Sequence, residues 1–237
     1  DERQNLITNV ETTPATTADI ELTDKIHTAL HEKDLLPQEH FVDTAYVDAT
    51  ELVNSRQQHH LELYGPVHLD TSWQARMGTG FDISCFSVDW EKKQVVCPTG
   101  QASKSWRMDK EKIKVEFAWD DCSACLKREQ CTKSKRGIRS LLMKPRPEFE
   151  ALHARRAQQQ SETFKQKYKK RAGIEGTISQ GVHTFELRRS RYIGLAKTHL
   201  QHIASAVAMN LVRLANWFNG IPKAKTRVSR FAALAPT

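Results

Sequence analysis

The stretch from Tyr168 to Arg191, YKKRAGIEGTISQGVHTFELRRSR, places two carboxylates among many cations. The carboxylates are Glu175 and Glu186, and the basic side chains are Lys169, Lys170, Arg171, Arg188, Arg189 and Arg191. An acid in basic surroundings is either a structural ion-pair partner or a metal ligand beside a polyanion. The adjacent arginines favour the ion pair for Glu186.

The spacing Tyr168-x2-Arg171-x3-Glu175 favours the metal ligand for Glu175. Residues three and four apart are neighbours on a helix, so a helical segment would place these three side chains on one face. A tyrosine, an arginine and a glutamate would then point the same way. Handling a phosphate group beside a divalent metal requires such an arrangement.

A second acid of interest follows a short apolar segment in HFVDTAYVDA, residues 40–49. Phe41 and Val42 predict a short buried strand that places Asp43 at its carboxyl end, where α/β sheets meet their ligands. Asp48 fits the alternative role of a helix cap, with the helix at residues 49–59. Asp43 is therefore the candidate metal ligand of the two.

Four cysteines form a third candidate site, with Cys97 followed by Cys122-x2-Cys125-x5-Cys131. No secretory signal is visible, so clustered cysteines favour metal ligation over disulfides. Four thiolates suit structural Zn²⁺, and reduced, unliganded cysteines are the alternative. The fifth cysteine, Cys85, lies in an alternating segment and is expected to be packed.

The elements around these residues follow an α/β order. Alternation predicts strands at residues 5–11 and 61–67, and apolar spacing predicts a helix at 20–33. His27 and His31 lie one turn apart on that helix, without a third ligand nearby, and we expect both to be exposed. Residues 1–67 are predicted to form the first part of one α/β core.

The residue pattern changes at residues 68–145, where short runs of alternating apolar and polar residues predict a β-rich insert that carries all five cysteines. Such a small insert would need a metal to stabilise it. Residues 146–220 are predicted to return to the core as helices, one covering 146–172 and another 192–219. The second has an apolar stripe that predicts core packing, formed by Ile193, Ala196, Leu200, Ile203, Val207, Leu211, Leu214 and Phe218. Residues 221–237 are expected to form a flexible basic tail.

The charge balance favours a polyanionic partner. The chain has 36 Lys and Arg against 28 Asp and Glu, a net charge of +8 and a pI near 9.3. The cations crowd at 127–139, 165–171 and 188–197, which favours nucleic acid over a merely soluble basic protein. No apolar run approaches the ~20 residues of a membrane helix.

The Y-x2-R-x3-E spacing, with the words RAGIEGTISQG and LRRSRYIGLAKTHLQH around it, resembles the DDE transposases of bacterial insertion sequences. The likeness runs from LITNVETTPATT at residues 6–17 to NLVRLANWF at 210–218. It implies an RNase H-like core, Mg²⁺ or Mn²⁺ at the catalytic site, and cleavage and joining of transposon ends to target DNA. It further implies a homodimer during transposition and a bacterial, cytoplasmic location.

The resemblance assigns roles residue by residue. Asp43 matches the second catalytic aspartate of the family and Glu175 the catalytic glutamate. Arg171 would contact phosphate or orient Glu175, and Tyr168 would contact DNA near the cut. Further DNA contacts are expected from Arg188, Arg189, Arg191 and Lys197.

The first aspartate of the family has no match here, since neither Asp1 nor Glu11 lies in the right context. The chain therefore resembles a C-terminal fragment, which we expect to be inactive or nearly so alone. A basic residue often found seven positions after the glutamate is replaced by Val182. Two alternatives remain open: a non-catalytic nucleic-acid-binding remnant with a zinc site, and a nuclease of the same fold.

Overall fold

The computed structural model describes residues 5–222, a mixture of helices and small sheets consistent with the α/β class. Helix α1 (Thr23–Glu32) follows a 3-10 turn at Asp19–Leu22. Strand β1 (Glu39–Phe41), helix α2 (Ala49–His59) and strand β2 (Glu62–Tyr64) then form a parallel βαβ unit. The predictions of a helix near 20–33, a helix at 49–59 and strands on either side of it are confirmed.

The local chemistry explains why this unit forms where it does. Asp48 caps α2 as predicted, because its Oδ1 accepts a hydrogen bond from the Glu51 amide at 2.9 Å. Behind the two strands lies a cluster of buried side chains, namely Val42, Val47, Leu52, Leu61, Leu63 and Val67. At the carboxyl end of β2, a Cβ on Gly65 would lie 2.8 Å from the Val42 carbonyl oxygen. The absence of a side chain there lets the ends of the two strands approach closely.

The segment after β2 carries five strands in two antiparallel sheets, which agrees with the predicted β-rich character of residues 68–145. Strand β3 (Ser87–Asp89) pairs with β4 (Gln94–Val96), and β5 (Ser105–Asp109), β6 (Lys112–Glu116) and β7 (Ser140–Met143) form the second sheet. Three short helices accompany them: α3 (Trp73–Met77), α4 (Trp119–Ser123) and α5 (Arg128–Cys131).

These sheets enclose their own hydrophobic core. Its buried members are Phe86, Val95, Ile113, Val115, Phe117, Leu141 and Met143. The β-rich segment therefore buries an apolar core of its own, built from aromatic and aliphatic side chains of both sheets.

The helices that follow are shorter than predicted. The expected helix over 146–172 is divided into α6 (Arg146–Gln158), α7 (Glu162–Tyr168) and a 3-10 turn at Lys169–Arg171, which leads into α8 (Ala172–Thr184). The break lies at Ser161, whose Oγ accepts the Phe164 amide at 3.2 Å and caps α7. Arg155 of α6 is 2% exposed and donates to the Gly65 carbonyl and to Glu62, so it is an anchor and not a solvated cation.

The last helix, α9 (Leu195–Phe218), exists as predicted but faces the other way. Its predicted core stripe is largely exposed, while Ala206 and Met209 on the opposite side are buried.

The predicted strand at 5–11 is also wrong, since no strand is assigned there. Instead, the backbone N–H of Ile7 donates to Asn210 Oδ1 of α9 at 2.9 Å, and the Ile7 carbonyl accepts from Asn210 Nδ2 at 2.8 Å. Residues 223–237 of the predicted tail lie outside the described residues.

The prediction that both His27 and His31 are exposed is wrong for His27, which is fully buried, while His31 is exposed. Its Nε2 lies 2.9 Å from His40 Nδ1, and its ring packs edge-on against His59, which bonds to Asp24. Burial, followed by the neighbouring His40 and His59, lowers the pKa of His27 from 6.5 to about 4, against a smaller opposing effect of Asp24. Burial also lowers the pKa of His40.

We expect this cluster to make stability depend on pH. A folded pKa below the unfolded pKa favours the neutral ring, so the contribution is complete above pH 6.5 and is lost as pH falls toward 4. For His27 alone this amounts to about 3 kcal/mol of unfolding free energy. Urea unfolding between pH 7 and 4.5 measures it. The His27→Gln variant should have a flatter pH profile, whereas His31→Gln, one turn away, should keep the wild-type slope; equal slopes in all three proteins would contradict the assignment.

Candidate functional site

Arg171 lies between the two acids that the sequence singles out. Its Nη2 is 3.1 Å from Asp43 Oδ2, and its Nη1 is 3.2 Å from Glu175 Oε1. Asp43 and Glu175, 132 positions apart in the chain, are thereby brought to one place. Both carboxylates are open to solvent, with side chains 52% and 65% exposed, while Arg171 is 20% exposed.

Asp43 is positioned by the end of strand β1. It caps the 3-10 turn at Thr44–Tyr46, where its Oδ1 accepts the Thr44 amide at 2.7 Å. Because this bond uses one carboxylate oxygen, Oδ2 faces Arg171. Burial, followed by the charges of Asp19 and Asp43, raises the pKa of the neighbouring Tyr46.

Tyr168 fastens the other half of the site to the sheet. Its hydroxyl donates to the Val42 carbonyl at 3.1 Å, next to Asp43. Its ring stacks near Phe164, which stacks on Tyr64 of β2 with ring centroids 4.6 Å apart. Burial raises the pKa of the Tyr168 hydroxyl. The predicted common face of Tyr168, Arg171 and Glu175 is thus present, with the tyrosine oxygen bonded inside the protein.

Glu175 lies in the first turn of α8, and this helix is held by residues that sequence reasoning missed. Gly173 lies against Asn5, because a Cβ there would be 3.3 Å from the Asn5 side chain. Arg213 of α9 donates to Thr177 Oγ1 and Gln180 Oε1, both at 2.9 Å, and also to the Asn5 carbonyl. The sequence does single out Arg213, since it is the only Lys, Arg, Asp or Glu between residues 198 and 218.

The remaining predicted cations lie on the surface after α8. Arg188, Arg189, Arg191 and Lys197 are all exposed. Glu186 is paired with Arg191 at 3.2 Å and with Arg189 at 3.9 Å, in agreement with its predicted ion-pair role. The two glutamates of the basic stretch therefore differ: Glu175 faces Asp43 across Arg171, whereas Glu186 is paired with arginines close to it in sequence.

Four cysteines line one small cavity of about 30 Å³ between the sheets and α4 and α5. They are Cys97, Cys122, Cys125 and Cys131, and none is in a disulfide. Cys97 Sγ accepts the Gln101 amide at 3.3 Å. Burial, which outweighs the nearby Arg139, raises the pKa of Cys131 to about 11, and the neighbouring thiols add to the rise.

The geometry falls short of a finished metal centre. Among residues 5–222, no group of three or more His, Cys, Asp or Glu side chains is arranged so that it could hold a metal ion. Neither the cysteine cavity nor the Asp43–Glu175 pair is part of such a group. The expectation that Cys85 is packed is wrong, because it ends an exposed 3-10 turn at Ile83–Cys85 in place of the predicted strand.

The comparisons with known proteins bear on the same residues. A family model described as "Transposase DDE domain" matches residues 96–215, just over half of the 237 residues. The match includes the four cavity cysteines and Glu175, and it begins after Asp43. No curated protein and no solved structure matches the chain. Within residues 5–222, no helix is both long and apolar enough to cross a membrane.

Proposed function

The chain belongs to the transposases with a DDE domain, and from that premise we propose that it cuts and rejoins DNA at the ends of a bacterial insertion sequence. Water would attack the phosphorus at the transposon end and release a 3′ hydroxyl. That hydroxyl would then attack target DNA, so that one phosphodiester bond forms as another breaks. The observation that carries the proposal is the pairing of Asp43 with Glu175 through Arg171.

Asp43 and Glu175 would hold a divalent cation. The fit rests on their chemistry, because both are exposed carboxylates and hard oxygen ligands suit Mg²⁺ or Mn²⁺. The two acids already share one cation, the guanidinium of Arg171, which marks the space between them as favourable for positive charge. When bound, such ions activate the attacking oxygen and stabilise the leaving oxygen. An RNase H-like core would place further acidic ligands beside these two.

The neighbouring residues would position the DNA and the acids. Arg171 would exchange its carboxylate partners for a backbone phosphate, which its planar guanidinium can bind through two hydrogen bonds. Tyr168, fixed by Val42, would hold α7 and the following turn against β1. The surface cations Arg188, Arg189, Arg191 and Lys197 would contact phosphates along the duplex, with no need to read base sequence.

We also propose that the four cavity cysteines bind one Zn²⁺ ion. The support is the donor set, since four of the five cysteines of the chain converge on one cavity that is scarcely larger than a water molecule. The proposal requires the thiols to reorient, because no group of three or more His, Cys, Asp or Glu side chains among residues 5–222 is arranged to hold a metal ion. The role would be structural, because four protein thiolates leave no open coordination position.

The test is a cleavage and joining assay with the 237-residue chain, transposon-end duplexes, and Mg²⁺ or Mn²⁺. Any cleavage should disappear in Glu175→Ala, and activity that survives that change refutes the assignment. Cleaved ends without joined products would indicate a nuclease of the same fold.

DNA binding is measured separately. We expect the affinity to fall steeply with salt, because each phosphate contact releases a counterion. Neutralising Arg188 and Arg189 together should reduce the slope of log K against log salt by about 2. Salt-dependent binding by a chain that binds no divalent cation would favour the non-catalytic remnant. The active assembly is proposed to be a homodimer in the bacterial cytoplasm.

A further inference from the structure

A groove of about 390 Å³ lies beside strand β7, where the β-rich segment meets α6. It is lined by six consecutive residues, 139–144, and by Phe149 and Leu152 of α6 among others. Its volume falls within the range of about 300–1,000 Å³ that is usual for ligand sites. Among residues 5–222, those that line the groove include neither Asp43 nor Glu175 and none of the four cavity cysteines. The groove therefore shares no proposed metal ligand.

The strand that borders the groove has one free edge. Strand β7 lies at the end of its three-stranded sheet and pairs with β6 in antiparallel register. The Phe117 N–H donates to the Arg139 carbonyl at 3.1 Å. Because bonded and non-bonded positions alternate along an antiparallel pair, Ser140 and Leu142 direct their backbone N–H and C=O groups away from β6. No hydrogen bond to these four groups is made within residues 5–222.

This free edge suits a peptide better than nucleic acid. Ser140 and Leu142 both line the groove, so donors and acceptors follow one another along its wall. An added β-strand presents N–H and C=O groups in the same alternation and can satisfy both kinds. Phosphate oxygens only accept hydrogen bonds, and they would leave the two carbonyls of the edge without donors. An unpaired strand edge is a ready template for another chain.

Apolar side chains in the groove supply a second contact. The Leu142 side chain is exposed, with 53% of its residue surface open to solvent. Phe149 and Leu152 line the groove from α6. Successive side chains of a strand point to opposite faces, so an added strand would place every second residue on the side of these apolar groups. The groove therefore favours a segment with apolar residues at alternate positions.

The charges of the groove are not balanced. Arg139 and Arg156 both line it, and their side chains donate to backbone carbonyls. Among residues 5–222, neither arginine forms an ion pair with a carboxylate. Lys144 is balanced by Glu148 at 2.7 Å, and Asp70 is the acid among the lining residues. The excess of positive charge favours acidic side chains at the remaining positions of a bound segment.

The same charges argue against two other occupants. Residues 223–237 carry four Lys or Arg and no Asp or Glu, so they would add positive charge to the groove. A second copy of β7, paired edge to edge, would bring Arg139 and Arg156 of both copies close together, and like charges oppose such pairing. An acidic segment of a different protein meets neither objection.

We propose that the groove beside β7 binds an extended segment of another protein, in which acidic and apolar residues alternate. The segment adds to the sheet as a fourth strand, bonded to Ser140 and Leu142, with its carboxylates near Arg139 and Arg156. The proposal is independent of DNA cleavage, because it uses neither Asp43 nor Glu175.

Fluorescence anisotropy of labelled peptides with the 237-residue chain tests the proposal. A peptide of about eight alternating Glu and Val residues has one acidic and one apolar face. We expect it to bind saturably, and a Lys–Val peptide of equal length to bind at least about tenfold more weakly.

The edge is tested by Leu142→Pro, which removes an N–H that β6 does not use, at an edge where proline is tolerated. Binding of the Glu–Val peptide should weaken about tenfold, since one lost main-chain hydrogen bond has an effect of that size. The matched control is Leu142→Ala, which keeps the N–H. It should change binding by less than about threefold, because the Leu142 side chain is already half exposed.

A second pair of variants tests the charge without changing the strand. Arg156→Glu should weaken binding of the Glu–Val peptide and strengthen that of the Lys–Val peptide. Lys135→Glu replaces an exposed cation that does not line the groove, and it should change either affinity by less than about twofold. Circular dichroism and thermal unfolding establish that each variant is folded, and the Arg156 pair decides the case if Leu142→Pro is not.

Several results would overturn the proposal. These are no saturation by about 1 mM Glu–Val peptide, equal binding of the two peptides, or equal weakening by Leu142→Pro and Leu142→Ala. Competition by a random-sequence DNA duplex that Arg156→Glu abolishes would assign the groove to nucleic acid. Tighter binding of a peptide with the sequence of residues 223–237 would assign it to the chain's own tail. A wild-type dimer that Leu142→Pro dissociates would assign it to a second copy.

Discussion

Replacing Glu175 with glutamine is expected to weaken Mn²⁺ binding more than tenfold, while replacing Glu186 with glutamine should change it by less than about twofold. Tenfold corresponds to about 1.4 kcal/mol, a modest value for losing one of two charged ligands. The two glutamates make a matched pair, since both lie in the same basic stretch and both are exposed. They differ in their partners: Glu175 faces Asp43 across Arg171, and Glu186 pairs with Arg189 and Arg191.

Isothermal titration with Mn²⁺ measures the effect, and the Asp43→Asn variant should reproduce the loss seen in Glu175→Gln. Because both carboxylates are more than half exposed, neither change should alter the fold. Unchanged binding in both variants would show that the pair does not hold the metal. A loss in Glu186→Gln as large as that in Glu175→Gln would point to diffuse attraction by surface acids.

The parts of this site that sequence could predict are those set by local rules. An apolar pair followed by an acid predicted the end of a strand at Asp43, and a short polar side chain before a helix predicted the cap at Asp48. The three- and four-residue spacing from Tyr168 to Glu175 predicted a shared face, which persists through a 3-10 turn at Lys169–Arg171. Each rule involves only a few neighbouring residues.

The errors concern what lies opposite a segment, which local patterns do not contain. The stripe of α9 shows which side is hydrophobic, but whether anything covers that side depends on distant residues. The alternation at 5–11 predicted a strand, yet the helix side chains of Asn210 and Arg213 took its backbone bonds. His27 and His31 have the same residue type and lie on one helix, and only the packing of β1 and α2 distinguishes them.

The predictions for the cysteines show the same difference between local spacing, which was read correctly, and tertiary packing, which was not. Spacing grouped Cys97, Cys122, Cys125 and Cys131, and the fold brings all four to one cavity. Cys85 was expected in a packed strand, but Asp82 caps a turn there through the Ser84 amide at 2.7 Å and leaves the thiol exposed. That misprediction supplies an internal control, since Cys85 lies in the same β-rich segment and outside the cavity.

Replacing Cys125 with serine is expected to remove bound zinc and to lower the melting temperature by about 10 °C. Structural zinc sites contribute roughly 10–16 kcal/mol of apparent binding free energy. Losing a few kcal/mol of that, at about 2–4 °C per kcal/mol for a chain of this size, gives the expected shift. Cys85→Ser should keep both the zinc and the melting temperature of the wild type.

Elemental analysis of protein purified without chelator, followed by thermal unfolding, measures both quantities. One zinc per chain in the wild type and in Cys85→Ser, with none in Cys125→Ser, is the expected pattern. The hydrophobic core around Phe117 and Val115 makes the outcome informative, because the β-rich segment has other means of stabilisation. A wild type without zinc whose melting temperature is insensitive to chelator would show that this core suffices and that the thiols remain reduced and unliganded. Zinc-dependent melting would instead show that the metal adds to a core that already exists.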